Sequence, residues 1–253
     1  MLINCNRNTL YAAYHHAFKD RPTLVFLHDS LGCVELWRDL PKRIAIACQC
    51  NLLVYDRLGY GKSDPMPTFV RPVNYLELEA EVLNNILENL NIENAILFGH
   101  SDGGSIALIA AAKYQSRIKM IIAEAAHIFV EEITLEGICQ AVRAYETTNL
   151  ALKLKKYHAE KTETIFKAWT KIWLSEDFRN WNIENLLSKI KCPLLFIQGE
   201  NDEYGTLAQV EKTLNLVNGK SEKYIIPNVG HTPHKEVPEV ILEKVTAFIN
   251  CHF

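Results

Sequence analysis

The chain has 253 residues, 48% of them hydrophobic and 23% charged, with a formal net charge of −3. This composition suits one large or two small globular domains. The acidic balance argues against a nucleic-acid binder, whose electrostatic footprint is strongly basic. No apolar run reaches the roughly 18–20 residues of a membrane span. The opening MLINCNRNTLYAAYHHAF lacks the apolar core and cleavage site of a secretory signal, so a cytoplasmic protein is expected. Seven scattered cysteines without a C-x-x-C pair read as reduced thiols, not as a disulfide framework or zinc site.

In chain order, LINC (2–5) and TLYAAYH (9–15) flank Asn6-Arg7-Asn8 and read as an opening hairpin. TLVFLHD (23–29), with the apolar run LVFL within it, is expected as a buried strand, followed by helical character over 34–48. LLVYDR (52–57) and AILFGH (95–100) repeat that strand pattern, with a helix predicted over 74–90 between them. A helix over 102–114 leads to a strand in KMIIAEAA (119–126). PLLFIQGE (193–200), a helix over 206–217, KYIIPN (223–228) and a helix over 237–250 close the chain. In the last helix Pro238 suits a first turn, and Ile241, Val245 and Phe248 share one face. Such alternation predicts an α/β fold: a mostly parallel central sheet with helices on both faces. Residues 130–190 break the rhythm, being helical, polar and rich in aromatics. They predict a small helical cap inserted before the penultimate strand of a single domain spanning 1–253.

The stretch LFGHSDGG (97–104) holds a G-x-S-x-G pattern between a predicted strand and a predicted helix. A turn that sharp strains the serine and lifts its hydroxyl above the sheet, which marks Ser101 as a candidate nucleophile. Serine needs a base and an orienting acid. His231 in NVGHTPHKE follows the last strand, and Asp202 in QGENDEYG follows the preceding one. Both fall at the carboxyl edge of the sheet, where open α/β folds bind ligands. The order Ser101, Asp202, His231 is nucleophile, acid, base. Glu124, after an earlier strand, is a weaker rival for the acid.

With these residues the chain resembles the α/β-hydrolase fold superfamily over most of its length. FLHDSLG, YDRLGYGKSD and VGHTPHKEVPE add to the likeness. The resemblance implies an oxyanion site built from the backbone N–H of Asp102 and one from the HDSLG loop, with Ser30 first and Leu31 next. That loop departs from the common His-Gly pattern because Asp29 replaces the glycine. For the Asp102 carboxylate, an interaction with the first helical turn, turned away from the reacting oxygen, is expected. The alternatives are a substrate contact or a hydrogen bond to the Asp29 loop.

A serine at 101 separates the chain from haloalkane dehalogenases and epoxide hydrolases, which use an aspartate there. Esters, thioesters, lactones and the carbon–carbon bonds of activated diketones remain, with ester hydrolysis favoured as the largest class. A ligand-sensing receptor of the same fold is the alternative of another kind. For substrate contacts the pattern points to Leu31, His127, Phe129, Trp169 and Trp173. The two tryptophans share a helical face with Phe166, which suits packing of the cap or an apolar wall. Residues 151–171 carry six lysines and two glutamates. Such a run suits a solvated face, or a docking surface for an acidic acyl carrier like that used by the pimeloyl methyl ester esterases this chain resembles in fold. No metal or organic cofactor is implied, because the glycines form no phosphate-binding loop.

Overall fold

The computed structural model describes residues 1–5 and 8–252. Of the predicted hairpin turn, Asn6 and Arg7 lie outside the described residues. The strands are β1 (Leu2–Cys5), β2 (Asn8–His15), β3 (Thr23–Leu27), β4 (Asn51–Tyr55), β5 (Ala95–His100), β6 (Ile118–Glu124), β7 (Leu194–Gly199) and β8 (Ser221–Ile226). They form one eight-stranded sheet in the order β1-β2-β4-β3-β5-β6-β7-β8. β1 and β2 pair antiparallel, as do β2 and β4, and from β4 to β8 every pairing is parallel.

The helices are α1 (Leu40–Ala47), α2 (Tyr75–Asn89), α3 (Asp102–Lys113), α4 (Glu132–Thr147), α5 (Leu150–His158), α6 (Thr162–Trp173), α7 (Glu184–Leu187), α8 (Leu207–Leu216), α9 (Pro233–Glu236) and α10 (Pro238–His252). The helix expected over 34–48 is split. Val34–Trp37 form a 3₁₀ turn, Arg38 adopts φ 54°, and α1 restarts with a proline in its first turn. An arginine at positive φ cannot continue a right-handed helix, so the apolar pattern persists while the element does not.

Strand residues alternate between two apolar layers because successive side chains point to opposite faces. Val25, Leu27, Leu97 and Ile121 join the layer that contains α2 and α3 residues such as Leu83 and Ile109. Leu24, Phe26, Ile96 and Phe98 join the layer of α1 and α10, with Ile44, Ile241, Val245 and Phe248. Full burial of each such side chain contributes roughly 1.5–3 kcal/mol. Being covered on both faces, β3, β4 and β5 are buried at every position.

The strand order reverses where β3 sits between β4 and β5, a switch point that opens a crevice at the carboxyl ends of the strands. Helices α4 to α7 lie in the chain between β6 and β7, and α4 and α6 contribute Thr134, Ile138, Trp169 and Trp173 to the pocket in that crevice. No helix among the described residues is long and apolar enough to cross a membrane.

Candidate active site

Ser101 links β5 to α3 at φ 54°, ψ −119°, a conformation that a non-glycine residue adopts only under constraint. Two close approaches hold it there. A Cβ on Gly99 would lie 2.0 Å from the carbonyl oxygen of Gly103, and one on Gly103 would lie 2.0 Å from that of Leu27. The glycines therefore let the strand, the turn and β3 pack against each other.

His231, in the loop after β8, brings Nε2 to 3.0 Å from Ser101 Oγ. Its Nδ1 lies 2.9 Å from both carboxylate oxygens of Asp202, in the loop after β7. The serine hydroxyl donates to Nε2 while Nδ1–H donates to the carboxylate. Asp202 is itself held by the Gln198 side-chain amide at 2.7 Å and the Tyr204 backbone N–H at 2.8 Å. Burial works to raise its pKa, but the His231 charge and the hydrogen bonds from His231 and the Tyr204 N–H hold it below the usual carboxylate value. For His231, burial opposes the charged ring, yet Asp202, then Glu203 and Asp29, raise its pKa above the ordinary histidine value.

Behind the histidine lies a second buried group. His100 Nε2–H donates to the His231 carbonyl at 2.8 Å, fixing that loop to the end of β5. Glu124 pairs with His234 at 2.5 Å and makes no contact with His231 through a hydrogen bond. Burial pushes the Glu124 pKa up to about 7 and pulls those of His100 and His234 down to about 3. Among the described residues these three form the one group with donor atoms close enough to hold a metal ion. His234 and Glu124 hydrogen-bond each other and His100 is held by the His231 carbonyl, while Glu124 Oε1 has no hydrogen-bond partner among the described residues.

Asp102 opens α3, and its backbone N–H donates no hydrogen bond among the described residues; neither do those of Ser30 and Leu31 in the loop after β3. All three residues line the pocket over Ser101. The Asp102 carboxylate accepts from the Tyr75 hydroxyl at 3.1 Å and lies 3.6 Å from Arg57 Nη1 and 4.0 Å from Arg71 Nη1. Arg57 is fully buried and also donates to the Asp29 carbonyl at 2.7 Å. Asp29 and Asp102 therefore do not meet; Arg57 stands between them. Asp29 turns its carboxylate to His100, 3.6 Å away. Arg57, Arg71, Tyr75, Gln198 and Tyr204 were not singled out from sequence. The readable signal for Arg57 was the charged pair Asp56-Arg57 at the end of an apolar run.

The pocket has a volume of about 220 Å³. Leu31, His127, Trp169 and Trp173 line it. His127 is oriented by donating Nε2–H to the Tyr204 carbonyl at 3.0 Å. Trp173 donates its indole N–H to the Tyr75 hydroxyl at 2.9 Å and packs on Phe178 and Trp181. Phe166 stacks on Tyr145, 3.9 Å between ring centroids, away from the pocket wall. Phe129 is a correction. It does not line the pocket, because its backbone pairs with Asn182 and its ring lies under the Lys212 ammonium.

Residues 22–178 match the family described as alpha/beta hydrolase fold. The chain belongs to that family. Serine hydrolase BPHL of Homo sapiens is 29% identical over 188 residues, covering 73% of this chain and 64% of its own length. This chain thus spans just under two thirds of that relative. Uncharacterized hydrolase YugF of Bacillus subtilis (strain 168) is 24% identical, covering 93% of this chain and 92% of its own. Among solved structures, MGS-M2, an alpha/beta hydrolase enzyme from a Medee basin deep-sea metagenome library, superposes with a TM-score of 0.82 at 20% identity. It covers 99% of this chain and 97% of its own.

Proposed function

We propose that the protein is a serine hydrolase that cleaves small carboxylic esters or thioesters through an acyl-enzyme on Ser101. The observation that carries this reading is the continuous relay Ser101 Oγ, His231 Nε2, His231 Nδ1, Asp202, starting from a serine at positive φ. His231 takes the serine proton as Oγ attacks the carbonyl carbon. The carbonyl oxygen becomes an oxyanion, held by the backbone N–H of Asp102 and one from Ser30 or Leu31. The imidazolium, stabilised by Asp202, returns the proton to the departing alcohol or thiol. Water activated by His231 then releases the acid and frees the serine.

A cavity of about 220 Å³ is smaller than the ~300–1,000 Å³ typical of drug-sized ligands, which favours a short acyl or alcohol part. The name serine hydrolase borne by the human relative agrees with this chemistry. All seven cysteines are unpaired, which supports a reducing, cytoplasmic setting.

A panel of short p-nitrophenyl esters, thioesters and activated diketones tests the reading, with Ser101→Ala as the blank. Ester turnover with fluorophosphonate labelling of Ser101 is expected. Diketone cleavage alone would make it a carbon–carbon hydrolase, and labelling without turnover a sensor.

A further inference from the structure

We propose that a groove beside the active-site pocket binds an anionic group, a carboxylate or phosphate, carried by the substrate of Ser101. The proposal rests on the serine hydrolase reading and adds the substrate's charge to it. The groove has a volume of about 340 Å³ and shares Asp29 and Leu31 with the pocket over Ser101. A ligand occupying both would run past the loop that carries the candidate oxyanion donors.

Three lysines line this groove: Lys153 and Lys156 from α5, and Lys235 from α9. None of the three side chains is engaged in an ion pair or hydrogen bond among the described residues. Several lysines elsewhere on the surface are ion-paired, as in Lys62 with Glu35, Lys113 with Glu81 and Lys212 with Glu184. Asp29 is the one carboxylate lining the groove, so three positive charges face one negative charge. Like charges left unpaired in one concavity raise the local concentration of an anion.

The lysine helix is also fixed relative to the reaction centre. His158, at the end of α5, is buried and donates Nε2–H to the Leu31 carbonyl at 3.0 Å. Its Nδ1 accepts the Gly61 backbone N–H at 3.0 Å. Lys153 and Lys156 thus ride on a helix anchored to the Ser30–Leu31 loop.

Within the basic run 151–171 some of the charges are engaged locally. Lys155 pairs with Glu160 and Lys167 with Glu163, while Lys161 donates to the Gly61 carbonyl at 2.7 Å. Lys171 lines a separate depression with Val142 and Leu174. The charges that remain converge on a groove that opens on the pocket, which suits a small anionic group over the broad surface of an acidic carrier.

The test compares p-nitrophenyl monoesters of a short dicarboxylic acid, of a phosphate-terminated acid and of a neutral acid of equal length. The expected result is a kcat/KM roughly 10-fold higher for the anionic esters, shrinking with added salt. The Lys153→Glu/Lys156→Glu/Lys235→Glu variant should lose that preference while its neutral-ester rate stays within about 2-fold. The corresponding glutamine variant guards against a folding defect. The carboxylate and phosphate arms separate the two anions. Ser101→Ala, titrated with the same acids without turnover, should bind the anionic ones more tightly.

Equal rates and equal binding for charged and neutral compounds would overturn the groove while leaving the hydrolase intact. An anion preference unchanged by the lysine variants would overturn it too. So would stimulation only by an ester presented on an acidic acyl carrier. Absence of turnover and of Ser101 labelling, with anion binding retained in the Ser101→Ala protein, would instead overturn the hydrolase reading alone.

Discussion

The Asp102 carboxylate, directly after Ser101, is the shared counter-charge of a buried arginine: Arg57 Nη1 stands 3.6 Å from its Oδ2, both side chains closed to solvent. Asp102 therefore has a structural task for its side chain, while its backbone N–H is the proposed oxyanion donor. Asp102→Asn leaves the N–H in place but strips the negative charge from Arg57 and Arg71. Breaking a buried pair from one side costs about 3–5 kcal/mol. In a chain of this length that is roughly a 10 °C fall in Tm. Calorimetry should show that fall, while kcat of the folded variant, measured well below its Tm, stays within about 10-fold of the parent. A kcat loss of several orders of magnitude in folded protein would place the carboxylate itself in the reaction.

The pH profile should carry the signature of the Ser101–His231–Asp202 relay. Under the proposed mechanism His231 acts as a base only when neutral, and its pKa is raised above the ordinary value. Activity is therefore lost as pH falls through that raised pKa. Asp202→Asn removes the largest raising influence on His231. The acid limb should move to lower pH, and kcat should drop by about 10³–10⁴ as the ring loses its orientation. Titrating kcat/KM of both proteins against pH checks both effects.

Stability should fall on acidification, from groups outside the relay. His28 is held well below the ordinary histidine value, and His100 and His234 at about 3, in each case chiefly by burial. Between about pH 6.5 and 3 the unfolded chain binds these protons and the folded chain does not, so stability decreases as pH drops through that window. Glu124, raised to about 7, acts in the opposite direction between about pH 4.5 and 7. His127 and His158 are lowered as well, and together the lowered histidines outweigh Glu124 and the raised Asp56, giving a net loss below about pH 6.5. Denaturant melts from pH 7.5 to 4 should show it, and His234→Gln should flatten the slope.

Trp173 connects the helices over the pocket to the nucleophile turn through Tyr75. Trp173→Phe removes one hydrogen bond, worth about 1 kcal/mol, and little volume. KM should rise modestly with kcat nearly unchanged. Trp173→Ala should cost about 3–5 kcal/mol through the cavity it leaves among Phe178 and Trp181. Thermal melts and Michaelis kinetics distinguish the two.

Much of this architecture was legible because its signals are local. All-apolar runs announced the parallel strands, and G-x-S-x-G between a strand and a helix announced the turn at Ser101. Asp202 and His231 were readable as residues just past strand ends, and the structure brings them together around Ser101. What escaped depends on long-range placement. Asp102's partners come from positions 57, 71 and 75, where nothing in the local pattern says which way the side chains turn. Phe129 follows a strand and is apolar, which made it resemble a pocket residue, yet a backbone bridge to Asn182 draws it elsewhere. Arg38 shows a third limit: a periodic apolar pattern ran through a residue at positive φ that no helix contains.

The shared contact of Arg57 and Arg71 with a single carboxylate has a consequence for how the sequence can change. A neutral residue at position 102 strands two cations in the interior, and a neutral residue at 57 or 71 alters the charge balance around Asp102. Divergence at these sites must be correlated. A library that varies position 102 alone should return almost only aspartate among stable clones. One that varies 57, 71 and 102 together should recover apolar triples at the same sites.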